Sequence, residues 1–277
     1  MRILVCLDDL PTAADALTAA CLLTRALPAD VTVLAVAGSD AAADAQLARA
    51  REKLDAARTL AVARAVGPSM EDAVAAVCQG QALDLVVAAP TGRHGFARIL
   101  HGSRVLKLAR QATTSLWIAR RSIPAVRRIL VGVSGAPHSE IDVRFAAHLA
   151  LAFGAELTVL HVVSQVPLMF TGLAQLRYDL ERFLEMDMPG ARQLKRAREI
   201  CAELQVPSRL EIREGLVSDE LAAEAGTGYD LLIVGAHLTG GMPALLLDNI
   251  TEHALREVPA STLVVRAEPV WERLSRP

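Results

Sequence analysis

Aromatic residues are scarce: five Phe, two Trp and two Tyr make up 3% of 277 residues. That scarcity argues against base-stacking platforms of the kind single-stranded nucleic acids need. Excess charge is missing too, since 29 Lys and Arg against 31 Asp and Glu leave a formal net charge of −2. A dedicated nucleic-acid or membrane-surface protein is therefore not expected. The four cysteines, Cys6, Cys21, Cys78 and Cys201, lie far apart, with neither disulfide-framework nor zinc-ligand spacing. No apolar run reaches the roughly 20 residues of a membrane helix, and the start, Met1 to Val5 then Asp8-Asp9, has no signal-peptide core. A cytoplasmic protein is expected. What is abundant is aliphatic: hydrophobic residues are 52% of the chain, which excludes disorder.

The chain is written twice. Arg2-Ile3-Leu4-Val5-Cys6-Leu7-Asp8 recurs as Arg128-Ile129-Leu130-Val131-Gly132-Val133-Ser134, and Asp84-Leu85-Val86-Val87 recurs as Asp230-Leu231-Leu232-Ile233. Ser115-Leu116-Trp117-Ile118 recurs as Ser261-Thr262-Leu263-Val264. The offset grows from 126 residues at the first pair to 146 at the later two, so the second repeat carries extra length before its fourth strand. Two domains are expected, at 1–120 and 127–277, joined by a short linker that keeps them packed together.

Within each repeat, β-branched runs alternate with helical patterns, the signature of βαβ units. The first repeat predicts strands near 2–8, 31–37, 59–65, 84–89 and 115–119, and helices near 12–27, 42–57, 69–79 and 103–111. The second predicts strands near 128–134, 156–163, 208–214, 230–235 and 261–266. Its helices are expected near 138–153, 172–204 (broken at Pro189-Gly190), 217–226 and 249–257. Strands such as Leu85-Val86-Val87 are apolar on both faces, as a parallel sheet covered by helices on both sides requires. The fold class is α/β: two tandem open parallel five-stranded sheets, with the ligand cleft beyond the carboxyl ends of the strands. The extra length falls in the second helix of repeat 2, where Leu173, Leu176, Leu180, Phe183 and Leu184 form an apolar stripe read as packing on its own sheet.

After its fourth strand, repeat 1 runs Ala89-Pro90-Thr91-Gly92-Arg93-His94-Gly95 and on to Gly102-Ser103-Arg104. Glycines let backbone amides approach an anion, and Ser103 at the expected helix start would add that helix's positive end. Asp8 closes strand 1 beside this loop, placed for a ribose hydroxyl or a phosphate-bound metal. Between Asp84 and Glu140 there is no acidic residue but nine basic ones, an asymmetry that favours anions. A solvated basic face, or one meeting an acidic surface of repeat 2, is the plainer alternative. Of the seven histidines, His94 is placed to touch a phosphate, and His148 and His161 read as packing or surface residues. No catalytic base beside a nucleophile is visible, so no enzyme is expected.

A Gly-x2-Gly-x9-Gly-Ser/Thr loop after strand 4, with an Asp ending strand 1, resembles the universal stress protein family, and both repeats fit its tandem members. The resemblance implies strand order 3-2-1-4-5, domains paired through their fifth strands across a pseudo-twofold axis, and a role in the stress response. It implies ATP or a related adenine nucleotide as ligand, accompanied by Mg²⁺. Carried over, the contacts are Leu7, Asp8, Ala88, Ala89, Thr91, Gly92, Arg93, His94, Gly102, Ser103 and Arg104, with Ala89 replacing the first glycine. Repeat 2 reads Gly235-x2-Leu238-x9-Asp248-Asn249, with Ser134 matching Asp8, and is expected not to bind ATP in the family manner. A nucleotide-free interaction scaffold and a slow ATPase stand as alternatives. The expected partners are the nucleotide, other proteins and a second copy as homodimer, without nucleic acid or membrane.

Overall fold

The computed structural model describes residues 1–67, 69–90, 98–164, 179–236 and 247–266, with only the backbone for 98–103. The first half runs β1 (Arg2–Leu7), α1 (Ala13–Ala26), β2 (Asp30–Ala37), α2 (Asp40–Lys53), β3 (Thr59–Val66), α3 (Met70–Gly80), β4 (Leu85–Ala88), α4 (Arg98–Gln111) and β5 (Ser115–Ile118). The second runs β6 (Arg128–Val133), α5 (Ser139–Phe153), β7 (Glu156–Val163), α6 (Leu180–Glu185), α7 (Pro189–Glu203) and β8 (Ser208–Glu214). It closes with α8 (Val217–Ala225), β9 (Leu231–Gly235), α9 (Asn249–Glu257) and β10 (Ser261–Val265).

Each half has the expected 3-2-1-4-5 order, but the expectation of two sheets is corrected. The strands form one ten-stranded sheet, β3-β2-β1-β4-β5-β10-β9-β6-β7-β8. Every neighbouring pair is parallel except β5 and β10, which run antiparallel with Trp117 opposite Leu263. The merger has a simple cause. A five-stranded sheet leaves its last strand's amides and carbonyls unpaired, and pairing two such edges satisfies both. Two apolar cores follow, one on each face, and each contains residues of both halves.

The junction repeats itself under the pseudo-twofold. The Arg120 amide donates to Ser261 Oγ at 3.2 Å, and the Arg266 amide donates to Ser115 Oγ at the same distance. The Arg120 guanidinium donates to the Leu255 carbonyl near the end of α9, while Arg266 donates to the matching Ala109 carbonyl of α4 at 2.6 Å. Each cation thus meets the negative end of a helix in the opposite half. Arg110–Glu252 and Arg121–Asp230 also cross the boundary.

Two local expectations shift. Helix α4 begins at Arg98 and not near 103, so Gly102 and Ser103 are its fifth and sixth residues. Their amides are therefore not among the first four, which alone lack intrahelical acceptors. The long helix of repeat 2 is interrupted at 186–188, with Pro189 opening α7, as its missing N–H and fixed φ favour. Phe183 and Leu184 are buried and Leu180 packs against the core, whereas Leu173 and Leu176 lie outside the described residues.

Candidate functional site

Both halves present a topological switch point, between β1 and β4 and between β6 and β9. In the first, β1–β4 pairing sets Val5 beside Val87 and brings the strand ends Leu7, Asp8, Ala88 and Ala89 together. Leu7, Ala88 and Ala89 are buried. Asp8 accepts from the Leu10 amide at 3.1 Å, and burial raises its carboxyl above the usual range against the pull of Arg104. Arg104, on α4, is exposed and lies 3.7 Å from the buried carboxylate of Glu71. Neighbouring Asp9 turns the other way, accepting from the Gly38 amide at 3.0 Å and the Gln46 amide at 2.7 Å. Leu7, Asp8, Ala88 and Ala89 thus converge, with Arg104 within electrostatic reach. Thr91, Gly92, Arg93 and His94 lie outside the described residues, and so do the side chains at 102 and 103.

The basic surplus between Asp84 and Glu140 is largely engaged where its side chains are described. Lys107 lies 3.6 Å from Asp72, Arg110 and Arg121 face acids of the second half, Arg120 caps α9, and Arg128 covers the Tyr229 ring at 4.3 Å. Two of these cations, Arg110 and Arg121, meet acids of the second half, as one form of the plainer alternative expected. Arg104 is the cation whose field reaches Asp8.

The second switch point is built from different chemistry. A cavity of about 460 Å³ opens there, lined among the described residues by the ends of β6, β7 and β9 and by α5, α8 and α9. Ser134, at the position matching Asp8, closes the β6–α5 turn: its amide donates to Ser139 Oγ at 3.0 Å, and its hydroxyl accepts from the Ala136 amide at 3.1 Å. Ser139 is thereby the first residue of α5 and His138 its N-cap position. At the mouth, Asp248 caps α9, accepting from the Thr251 amide at 2.6 Å. That carboxylate satisfies one of the donors that would otherwise attract phosphate.

Two residues that sequence reasoning left aside line this cavity. Asp142 is only 3% exposed, and its Oδ2 lies 2.4 Å from where a Cβ on Gly235 would stand. Gly235 is thus held to glycine by a carboxylate. Its first-half counterpart Ala89 faces no such constraint, since Ala16 is the counterpart of Asp142. His161, read from sequence as packing, borders the cavity and donates from Nδ1 to the Val133 carbonyl at 3.0 Å. Its Nε2 lies 2.2 Å from a Cβ built on Gly190, so the extra segment of repeat 2 sets the start of α7 against this ring. An acidic first-turn residue such as Asp142 signals only a favourable helix start, and a single strand histidine signals nothing.

Burial lowers the His161 pKa below its ordinary 6.5. The unfolded chain then binds more protons than the folded one between the two values, so stability is complete above about pH 6.5 and falls as pH drops below it. His161→Ala, which copies Ala35 of the first half, should flatten the dependence of the melting temperature on pH below about pH 6.5. An unchanged slope would show that the ring carries no such linkage.

The layout is that of a doubly wound α/β protein with its clefts at the strand ends, and comparison places it among known proteins. The profile of the "Universal stress protein family" matches residues 125–266, half of the chain. The chain belongs to the universal stress protein family. It is 26% identical over 145 residues to universal stress protein YxiE of Bacillus subtilis (strain 168), covering 50% of this chain and 98% of that one. A universal stress protein of Archaeoglobus fulgidus DSM 4304 shares the fold over 96% of each chain, with a TM-score of 0.64 at 15% identity. A universal stress protein of Pseudomonas aeruginosa UCBPP-PA14 does so over 96% of this chain and 93% of its own, with a TM-score of 0.68 at 17% identity. Among the described residues, no helix is long and apolar enough to cross a membrane.

Proposed function

We propose that this chain is a stress-response regulatory protein that binds ATP, or a related adenine nucleotide, in its first half, at most one per chain. Its two domains, 1–120 and 127–277, share one sheet, and ligand occupancy in one is read out through the other or through a protein partner. The observation that carries this reading is the contrast between the two switch points. The first pairs Asp8 with the field of Arg104, in a stretch without acidic residues from 85 to 139. The second sets Asp142 and Asp248 in the matching cleft.

The donor set of the first cleft suits a nucleotide. A half-buried carboxylate accepts hydroxyl donors, and a nearby guanidinium offsets phosphate charge. In this reading Asp8 faces the ribose or a phosphate-bound Mg²⁺, Leu7 and Ala88 flank the adenosine, and Arg104 with the loop residues Gly92, Arg93 and His94 serves the phosphates. Gly102 and Ser103, set inside α4, support the loop and do not cradle phosphate with their amides. No turnover is assigned, because electrostatic cradling explains binding without a base or nucleophile. Nucleotide carried through purification is the test. A denatured extract should absorb near 260 nm and give an adenine nucleotide mass, at no more than one per chain. An extract free of nucleotide, from protein that also ignores added ATP, would favour the scaffold reading.

A further inference from the structure

Between α1 and α2, on the sheet face opposite α3 and α4, runs a groove of about 480 Å³, the size of a small-molecule site. Its near end is formed by the turn from Asp8 to Pro11, and its walls by Ala13, Ala14 and Leu17 of α1 with Ala42 and Ala45 of α2. Its far end carries two cations of α2, Arg49 and Lys53. The acids of the near end are engaged within the fold. Asp8 accepts from the Leu10 amide, and Asp9 from the Gly38 and Gln46 amides.

The second half shows what this groove lacks. There α5 and α7 follow the matching strands, and two ion pairs tie them together. Arg196 of α7 donates to Glu140 of α5 at 3.1 Å, and Arg144 of α5 lies 4.0 Å from Glu203 of α7. At the 126-residue offset of the repeats, Ala14 stands where α5 has Glu140 and Thr18 where it has Arg144. Both ties are therefore missing from the first half, while α2 keeps its cations. Among the described residues, neither Arg49 nor Lys53 has a side-chain ion pair or hydrogen bond.

This arrangement selects a ligand by charge and by shape. A guanidinium matches the planar fork of a carboxylate, the group that α5 itself presents to α7. An exposed ion pair contributes little alone, so a bare anion would not be held. Binding must draw on apolar area as well, and the alanines, Leu17 and the Lys53 stem supply it. We propose that the α1–α2 groove of the first half binds an aliphatic carboxylate, with its chain along Ala14, Leu17, Ala42 and Ala45 and its carboxylate on Arg49 and Lys53. This goes beyond the nucleotide reading and does not use Arg104 or the loop after β4.

Calorimetric titration of the full chain without nucleotide, using decanoate and decylammonium below their micelle concentrations, tests it apart from any ATP result. The two probes share a chain and differ in the sign of charge. Decanoate is expected to bind at one site per chain, and decylammonium at least tenfold more weakly. Replacing both cations, Arg49→Gln with Lys53→Gln, should weaken decanoate at least tenfold. Ala14→Glu gives Arg49 the internal carboxylate that Glu140 gives Arg196, and should weaken decanoate as strongly. Ala45→Trp should abolish the heat signal by filling the groove from α2. Ala14 and Ala45 are exposed, so an unchanged melting temperature shows that these variants fold. The proposal is overturned if neither probe binds at millimolar concentration, if the two bind equally or in reverse order, or if the double Gln variant or Ala14→Glu binds decanoate like the wild type.

Discussion

Trp117→Ala should destabilise the whole molecule by about 3 kcal/mol, the low end of the range for large aromatic truncations. The side chain is 1% exposed on β5, opposite Leu263 of β10, and meets the Phe153 ring edge-on at 6.3 Å. It therefore packs at the seam where the two halves become one sheet. The low end is expected because the buried Trp117 Nε1 has no hydrogen-bond partner, and removing an unsatisfied donor returns part of the loss. Both cores cross the seam, so urea unfolding should remain a single transition that moves as a whole. Two separate transitions, with only the first half shifted, would mean that the halves are energetically independent.

The second large effect concerns Gly235. A methyl group there would stand 2.4 Å from Asp142 Oδ2 and 2.9 Å from its Cγ, too close for either to stay in place. Overpacking of this kind costs about 1–3 kcal/mol. Asp142→Ala alone removes the carboxylate that a methyl group at 235 would meet, and alanine fills the same position in the first half. The double variant Gly235→Ala with Asp142→Ala recreates the Ala89–Ala16 pair and should recover most of the stability lost by Gly235→Ala. Denaturant midpoints of the four proteins form the cycle. Strictly additive effects would contradict a direct contact between the two positions.

This pair also shows how far the sequence could be read. The repeat was plain in Arg2-Ile3-Leu4-Val5 and Arg128-Ile129-Leu130-Val131, while the strand order of each half came from the family resemblance. Strand periodicity is local, and it fixed nearly every element to within a few residues. The joining of β5 to β10 into one sheet was not local. The expected facing of the fifth strands became direct pairing because unpaired edges are satisfied by each other. The start of α4 was misplaced because Gly102 looked like a terminus, yet a glycine within a helix costs only about 1 kcal/mol.

The convergence of Leu7, Asp8, Ala88 and Ala89 was legible, since strand ends at a switch point are fixed by topology. Asp248 at the start of α9 was legible too, as a carboxylate on the anion seat. Asp142 and His161 were not, because their meaning depends on Gly235 and Gly190, 93 and 29 positions away in the chain. The basic surplus and an acidic surface of repeat 2 to meet it were visible in the sequence, but the individual pairs Arg110–Glu252 and Arg121–Asp230 were not.

The most direct test of the central claim is a calorimetric titration of ATP into the wild-type chain and into Asp8→Ala. The account predicts one site per chain in the wild type, weakened at least tenfold by the loss of the Asp8 carboxylate, equivalent to about 1.4 kcal/mol. Two sites per chain, no binding at millimolar ATP, or an Asp8→Ala protein that binds like the wild type would contradict it.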